Sequence, residues 1–265
     1  MKILTWNMAG AGFHTATPHS AAWDWLRGEA TFDIALLQEA IPPSDLSDQF
    51  ATVLFRPRVT TGPRVWGNCI LARDAHYQEE SAEVGPHWAD RALPSFQLAR
   101  SQDNLPWLVN VHSSSEPMSR FPRESFVNDG GLTCHRSRVW EIEVAAHLVR
   151  QRVTAGRYLL GGDLNSALLL DKVRKHRNNE RLWANLAVQG FFDLRPNHYQ
   201  HEQQTFFRPN TNPYQLDHFF GDTTTRSATR SWSVLTEIAR DRQLSDHAPV
   251  AIEVEYRSVG SNASD

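Results

Sequence analysis

Polar residues recur at one kind of place in this sequence, where an apolar run stops. Asn7 ends Ile3-Leu4-Thr5-Trp6, and Glu39 ends Ile34-Ala35-Leu36-Leu37-Gln38. Asn110 and His112 share one face at the end of Trp107-Leu108-Val109. Asp163 and Asn165 follow Tyr158-Leu159-Leu160-Gly161-Gly162. Asp217 sits between Leu216 and His218-Phe219-Phe220, and Asp246 and His247 come just before the last run. One carboxylate at a strand end is ordinarily a solvated turn residue or a helix cap. Recurrence changes the argument. If the strands converge, these groups form one cluster, whose carboxylates repel one another unless a cation neutralises them. Oxygen donors of this kind suit Mg²⁺ or Mn²⁺. Neither Cys69 nor Cys134 stands in a zinc-ligand spacing, and the sequence holds no P-loop and no Gly-x-Ser-x-Gly elbow.

Such a cluster needs strands to carry it. Runs rich in β-branched, aromatic and aliphatic residues occur at Lys2–Asn7, Asp33–Gln38, Thr52–Arg56, Asn68–Arg73, Ser95–Ala99 and Trp107–His112. Others follow at Arg157–Gly161, Gln215–Phe220, Ser231–Leu235 and Pro249–Tyr256. Pro, Gly, Asn and Asp punctuate them, so they read as strands. Helical spacing appears at Ala21–Arg27, at Val139–Arg152 and at Asn179–Gln189. Several strands are apolar at consecutive positions, as expected when both faces are covered. Sheet packed on sheet with helices outside fits this pattern better than βαβ alternation. Trp23, Trp25 and Trp140 have helical neighbours and read as core rings.

The chain has 265 residues, 40% hydrophobic and 22% charged, an ordinary globular composition. Its net charge of -3 argues against gripping nucleic acid through overall charge, though not against a local basic groove. Only Lys2, Lys172 and Lys175 among the 27 basic residues are lysines. Two cysteines make no disulfide framework. No apolar run approaches the roughly 18 residues of a membrane span. No signal peptide is visible, so a cytoplasmic location is the expectation. No linker divides the chain. Residues 1–257 read as one domain and 258–265 as a polar, fraying tail. The aperiodic stretch Ser113–Arg136 reads as a functional or mobile loop.

Five short motifs then follow in order: Thr5-Trp6-Asn7, Leu37-Gln38-Glu39, Gly162-Asp163-Leu164-Asn165, Leu216-Asp217-His218 and Ser245-Asp246-His247. Together they resemble the ordered motifs of the endonuclease/exonuclease/phosphatase superfamily, which includes deoxyribonuclease I-like enzymes. The resemblance runs from residue 5 to about residue 256, and it implies a four-layer α/β sandwich. In that fold two mainly antiparallel sheets pack face to face with helices outside, and the active site lies at one end of the sheets. By the same resemblance Glu39 is the principal ligand of a Mg²⁺ (or Mn²⁺) ion, with Asn7 and Asp246 beside it. Asp217 orients His247. Asp163 and Asn165 flank the scissile phosphate, Asn165 contacting a non-bridging oxygen, and His112 donates to the phosphate. Apurinic endonucleases usually carry Tyr at the His112 position, so this chain departs from their pattern.

The implied reaction is phosphoester hydrolysis, and loops decide which ester. Asp171–Arg181 carries Lys172, Arg174, Lys175 and Arg177, and Arg120–Arg138 interleaves arginines with Phe121 and Phe126. Cations among aromatics suit a polynucleotide backbone. Asn110 joins these four cations as a candidate substrate contact. The leading expectation is a nuclease cutting DNA or RNA, with no obligate protein partner. The alternative is a phosphatase or phosphodiesterase acting on a phospholipid headgroup or small phosphorylated metabolite. A non-catalytic binding module on the same fold ranks below both, because the motif residues are intact.

Overall fold

In the computed structural model, which describes residues 1–10, 16–58, 65–80, 96–114, 140–153, 156–196 and 201–256, every apolar run named above becomes a strand. The chain starts with β1 (Lys2–Asn7), α1 (Ala16–Gly28), β2 (Ile34–Ala40), β3 (Thr52–Pro57) and β4 (Gly67–Ala72). It continues through β5 (Tyr77–Glu80), β6 (Phe96–Ser101), β7 (Trp107–His112), α2 (Glu141–Arg152) and β8 (Tyr158–Asp163). Then come α3 (Leu168–Arg174), α4 (Asn178–Val188), β9 (Phe192–Asp193) and β10 (Asp217–Gly221). The last elements are α5 (Thr223–Ala228), β11 (Thr229–Val234), α6 (Thr236–Arg240) and β12 (Val250–Val254).

The strands form two six-stranded sheets, ordered β11-β12-β1-β2-β4-β3 and β5-β6-β7-β8-β10-β9. Each contains one parallel pair, β1 with β2 and β7 with β8, and the remaining pairs are antiparallel. Strand alternation sends successive side chains to opposite faces. Ile3, Leu36, Ile70 and Ile252 of the first sheet meet Leu108, Leu159 and Phe219 of the second in the space between them. The outer face of the first sheet, with Leu4, Trp6 and Leu37, packs on Ala22, Trp23 and Leu26 of α1. The outer face of the second, with Val109, Val111 and Leu160, packs on Ile142 and Val149 of α2 and on Leu182 and Leu186 of α4. Four layers result, because each central strand is apolar on both faces. Trp23, Trp25 and Trp140 are buried in the two outer cores.

Some elements have no counterpart in the sequence pattern. β5 is a polar edge strand and β9 has only two residues, so neither shows a period. α3 enters the segment that reads as a charge cluster only with its last residues, Asp171 to Arg174. The carboxylate of Glu202 caps it from a distant loop, accepting from Leu168 N at 2.6 Å and Leu169 N at 2.8 Å. Residues 115–139, which contain the aromatic–basic segment and Cys134, lie outside the described residues, as does the tail from 257. Among the described residues no helix is long and apolar enough to cross a membrane.

Candidate active site

The ends of the two central parallel pairs meet. Asn7 at the end of β1 donates from Nδ2 to Asp163 Oδ2 at the end of β8, 2.9 Å away. Within the second sheet His112 is in register with Asp163, and Asp163 with Asp217. That register needs a close approach at Gly162, where any Cβ would lie 1.8 Å from Val111 O. Gly10 has the same duty at the other rim, since a Cβ there would lie 2.1 Å from Glu39 O. Glu39 itself has φ 48° and Asn165 φ 49°. The left-handed region is uncommon for residues other than glycine, and such strain collects at functional sites.

Asp163 is the hub. Its Oδ1 accepts from Asn165 N at 2.8 Å, and its Oδ2 accepts from Asn7 Nδ2 and from Asn165 Nδ2 at 3.2 Å. The Nε2 atoms of His112 and His247 face that Oδ2 from 3.9 and 3.8 Å. His247 Nδ1 lies 2.8 Å from Asp217 Oδ2, so Asp217 fixes its tautomer and ring orientation. Thr205 Oγ1 positions Asp217 by accepting from the amides of Leu216 and Asp217. Ser245 Oγ donates to Asn7 O at 2.7 Å and accepts from His247 N at 3.1 Å, fastening the last motif to the first.

The two histidines are driven to opposite charge states. Burial pushes His112 down to about 4, against the pull of Asp163 and with the push of the Arg58 charge. His112 is therefore neutral at pH 7. Burial also works against charging His247, but the carboxylates of Asp217 and Asp163 outweigh it and raise the group to about 10. His247 is therefore an imidazolium. Burial, reinforced by the charge of Asp217, raises the carboxyl of Asp163.

Three of the expected site residues have partners within the protein. Asn110 is fully buried and does not face the cluster. Its Nδ2 donates to Leu37 O and Cys69 O of the first sheet, and its Oδ1 accepts from Gln38 Nε2 at 2.7 Å. It ties the two sheets together. The two amide hydrogens of Asn165 go to Ser113 O and Asp163 Oδ2, so here it braces Asp163 rather than offering a donor to a phosphate. Asn7 Oδ1 accepts from Ala9 N at 2.9 Å, which leaves its NH₂ facing Asp163 and, at 3.4 Å, Glu39 Oε1. An amide NH₂ orients carboxylates and is no ligand for a cation.

Asp163, Asp217 and His247 bring ligand atoms within 4.8 Å of one another, a group able to hold a metal ion. The Asp217–His247 hydrogen bond already uses one side of that group. Carboxylates as hard oxygen donors fit Mg²⁺ or a similar ion. Asp246 is shared, since Arg208 Nε donates to its Oδ2 at 2.8 Å. Arg208, Phe206, Trp66 and Arg58 at the rim escape a sequence search for basic runs, because the two arginines lie 150 residues apart and Trp66 is eight residues from the arginine that it carries. Lys172 and Arg174 are exposed on α3, Lys175 ends it in the left-handed region, and Arg177 is exposed and paired with Glu180 at 2.7 Å. Their neighbour Asp171 is no solvated counter-charge. It is buried and accepts from Asn179 N, Asn179 Nδ2 and Glu180 N at the start of α4.

Neither a family model nor a curated protein sequence matches the chain. Solved structures do. The 3'-5' exonuclease NExo from Neisseria meningitidis superposes with a TM-score of 0.66 at 20% identity, over 97% of this chain and 100% of that one. The endonuclease domain of TRAS1, a telomere-specific non-LTR retrotransposon, gives 0.60 at 15%, over 97% and 99%. The chain has the endonuclease/exonuclease/phosphatase fold. An AP endonuclease from Archaeoglobus fulgidus shares it with a TM-score of 0.64 at 15% identity, over 96% and 99%. A second NExo structure, described as a 3' phosphatase bound to a product DNA hairpin, matches as the first does, at 0.66 and 20%. At these identities the likeness establishes the architecture on which the cluster is mounted.

Proposed function

We propose that this chain is a Mg²⁺- (or Mn²⁺-) dependent phosphodiesterase that hydrolyses nucleic-acid phosphodiester bonds, DNA first. The observation that carries the reading is the hub. A buried carboxylate of raised pKa stands between a neutral and a charged histidine, at the joint end of two sheets. The nuclease activities named for the structural neighbours support it.

Glu39 and Asp246 would hold the cation, with Asn7 orienting Glu39 and Asp163 through its amide group. When bound, that cation polarises the phosphoryl group and offsets its charge. Asp163 accepts a proton from the attacking water, and its raised pKa makes it a better base than an ordinary carboxylate. The water oxygen bonds to phosphorus as the ester oxygen leaves. His247 gives its Nε2 proton to that leaving oxygen while Asp217 steadies the ring. His112 presents Nε2–H to a phosphoryl oxygen. The products are a phosphomonoester and an alcohol, with one water consumed. Lys172, Arg174, Lys175 and Arg177 offer a charged surface just after Asn165 along which a polyanion can run.

The net charge of -3 favours a second reading, a phosphatase or phosphodiesterase for a lipid headgroup or small metabolite. A panel in Mg²⁺ and Mn²⁺ decides between them: plasmid, single-stranded DNA, RNA, bis-p-nitrophenyl phosphate, p-nitrophenyl phosphate and sphingomyelin. Cleavage of polynucleotide that EDTA abolishes is the expected result. Hydrolysis confined to the small esters or the lipid overturns the nuclease reading.

A further inference from the structure

The site has two arginines in matching places. Arg58 lies over the ring of Trp66 at 5.1 Å, and Trp66 packs at a tilt on His112, ring centres 5.8 Å apart. Arg208 lies over the ring of Phe206 at 5.4 Å, and Phe206 packs at a tilt on His247 at 5.0 Å. Between the histidines stands Asp163, facing both Nε2 atoms. The residues follow one another as cation, ring, histidine, carboxylate, histidine, ring, cation. Backbone contacts fix both outer stacks. Arg58 N donates to Trp66 O at 2.7 Å, and Phe206 forms a β-bridge with His247.

A guanidinium stacked on a ring keeps its N–H edges for an anion while its face is covered. It also loses less side-chain freedom on binding than a solvated arginine does. The Arg208 side chain remains 47% exposed although its Nε is held by Asp246. A single phosphate at Asp163 is already met by His112, His247 and the cation. Two further cations, each linked to Asp163 through its own ring and histidine, have no use for a lone phosphate, and they suit the charges that flank it. The rings themselves are engaged by arginine and histidine, so they brace the cations rather than stack bases.

We propose that Arg58 and Arg208 grip the phosphates flanking the scissile one, so that the site selects an internal phosphodiester of a polynucleotide strand. This rests on the nuclease reading and gives it a substrate class: backbone charge on both sides of the cut, read without regard to base.

The test uses short oligonucleotides with a mapped cleavage position. A neutral methylphosphonate replaces the phosphate on the 5' flank, on the 3' flank, or on both. Binding is measured in Ca²⁺, and KM and kcat in Mg²⁺, for wild type, Arg58→Ala, Arg208→Ala and the Lys variants of both. In wild type each neutral flank should weaken binding about tenfold, equivalent to about 1.4 kcal/mol, and act mainly on KM. Arg58→Ala should become indifferent to one flank and Arg208→Ala to the other, with the Lys variants recovering part of the sensitivity. The wild-type arm needs no protein variant, so it stands even if Arg208→Ala disturbs Asp246. Cleavage of the oligonucleotides with no penalty for neutral flanks, or with the same penalty in every variant, overturns the clamp alone. Hydrolysis of bis-p-nitrophenyl phosphate without binding or cleavage of any oligonucleotide overturns both the nuclease reading and the clamp.

Discussion

In the first sheet β1 runs parallel to β2, with antiparallel β12 on one side and β4 on the other. In the second, β7 runs parallel to β8, with antiparallel β6 and β10 in the same places. The outer pairs match too, β11 and β3 against β5 and β9. The pairing is the same and the chemistry is not. At the end of the first parallel pair Asn7 stands opposite Gln38; at the end of the second His112 stands opposite Asp163. Gln38 is spent on structure, bonding Thr5 of its own sheet and Asn110 of the other. Asp163 is left as the hub of the cluster. The first sheet lends Glu39 one residue later, beyond the register, by turning it into the left-handed region. The second sheet therefore brings His112, Asp163 and Asp217 to the cluster, and the first brings Asn7 and Glu39 and, from the segment leading into β12, Asp246 and His247.

The sharpest way to break this contrast is at the hub. Asp163→Asn should lower turnover about 10²–10⁴-fold, with the folded state confirmed by circular dichroism. His247→Ala and Asp217→Asn should follow, at about 10²-fold or more for the histidine. Wild-type turnover in folded Asp163→Asn would remove the contrast. On the other sheet, Glu39→Gln should weaken Mn²⁺ binding measured by electron paramagnetic resonance, whatever its effect on turnover.

The inter-sheet tie gives the opposite signature. Asn110→Ala leaves Gln38, Leu37 O and Cys69 O short of partners, which should cost about 2 kcal/mol or more in urea unfolding. Its turnover per folded molecule should hold. A turnover loss with unchanged stability would return Asn110 to the substrate path.

The histidines respond to pH with opposite signs. His218 is buried, and its Nε2 lies 3.0 Å from Ser166 O and 2.9 Å from Gln215 O, so that nitrogen carries the proton and the ring is neutral. Burial, then the charge of Arg195, pushes it from the ordinary 6.5 down to about 3. The unfolded chain therefore binds more protons between these values. The stability this ring contributes is complete above 6.5 and is lost as pH falls toward 3. His112, pushed down to about 4, acts in the same window. His247 is raised to about 10, so its contribution is present below 6.5 and is lost as pH rises through 10. Urea midpoints from pH 4 to 10 should fall at both ends. His218→Gln should flatten the acid limb alone.

The smallest effect belongs to α3 and its turn. Binding of a polynucleotide in Ca²⁺ should weaken with salt at a log–log slope of about -0.7 to -0.9 per phosphate contact. Replacing Lys172, Arg174, Lys175 and Arg177 by Ala should flatten that slope, with the Arg177 change least telling because Glu180 already holds it. Parallel slopes for the two proteins would reject this surface as a contact.

The ends of strands were legible in the sequence because a strand's apolar run and the polar residue that stops it are local facts. So were the layers, since runs apolar at consecutive positions must be covered on both faces. Their place at the ends of apolar runs, together with the five-motif resemblance, put Asp163, Asp217 and His247 among the candidates. What the side chains do there depended on partners far along the chain. Asn110 and His112 lie on one strand and one face by sequence, yet one is consumed by carbonyls of the other sheet and the other faces Glu39. Opposite charge on His112 and His247 follows from which carboxylates surround each ring, and those arrive from other strands. Arg58 and Arg208 carried no signal of their own, because they are distant in sequence and the ring that Arg58 covers, Trp66, lies eight residues beyond it. Sequence spacing reports what a strand presents, and only the packing of two sheets decides whether a presented group is met by solvent, by a carbonyl or by another charge.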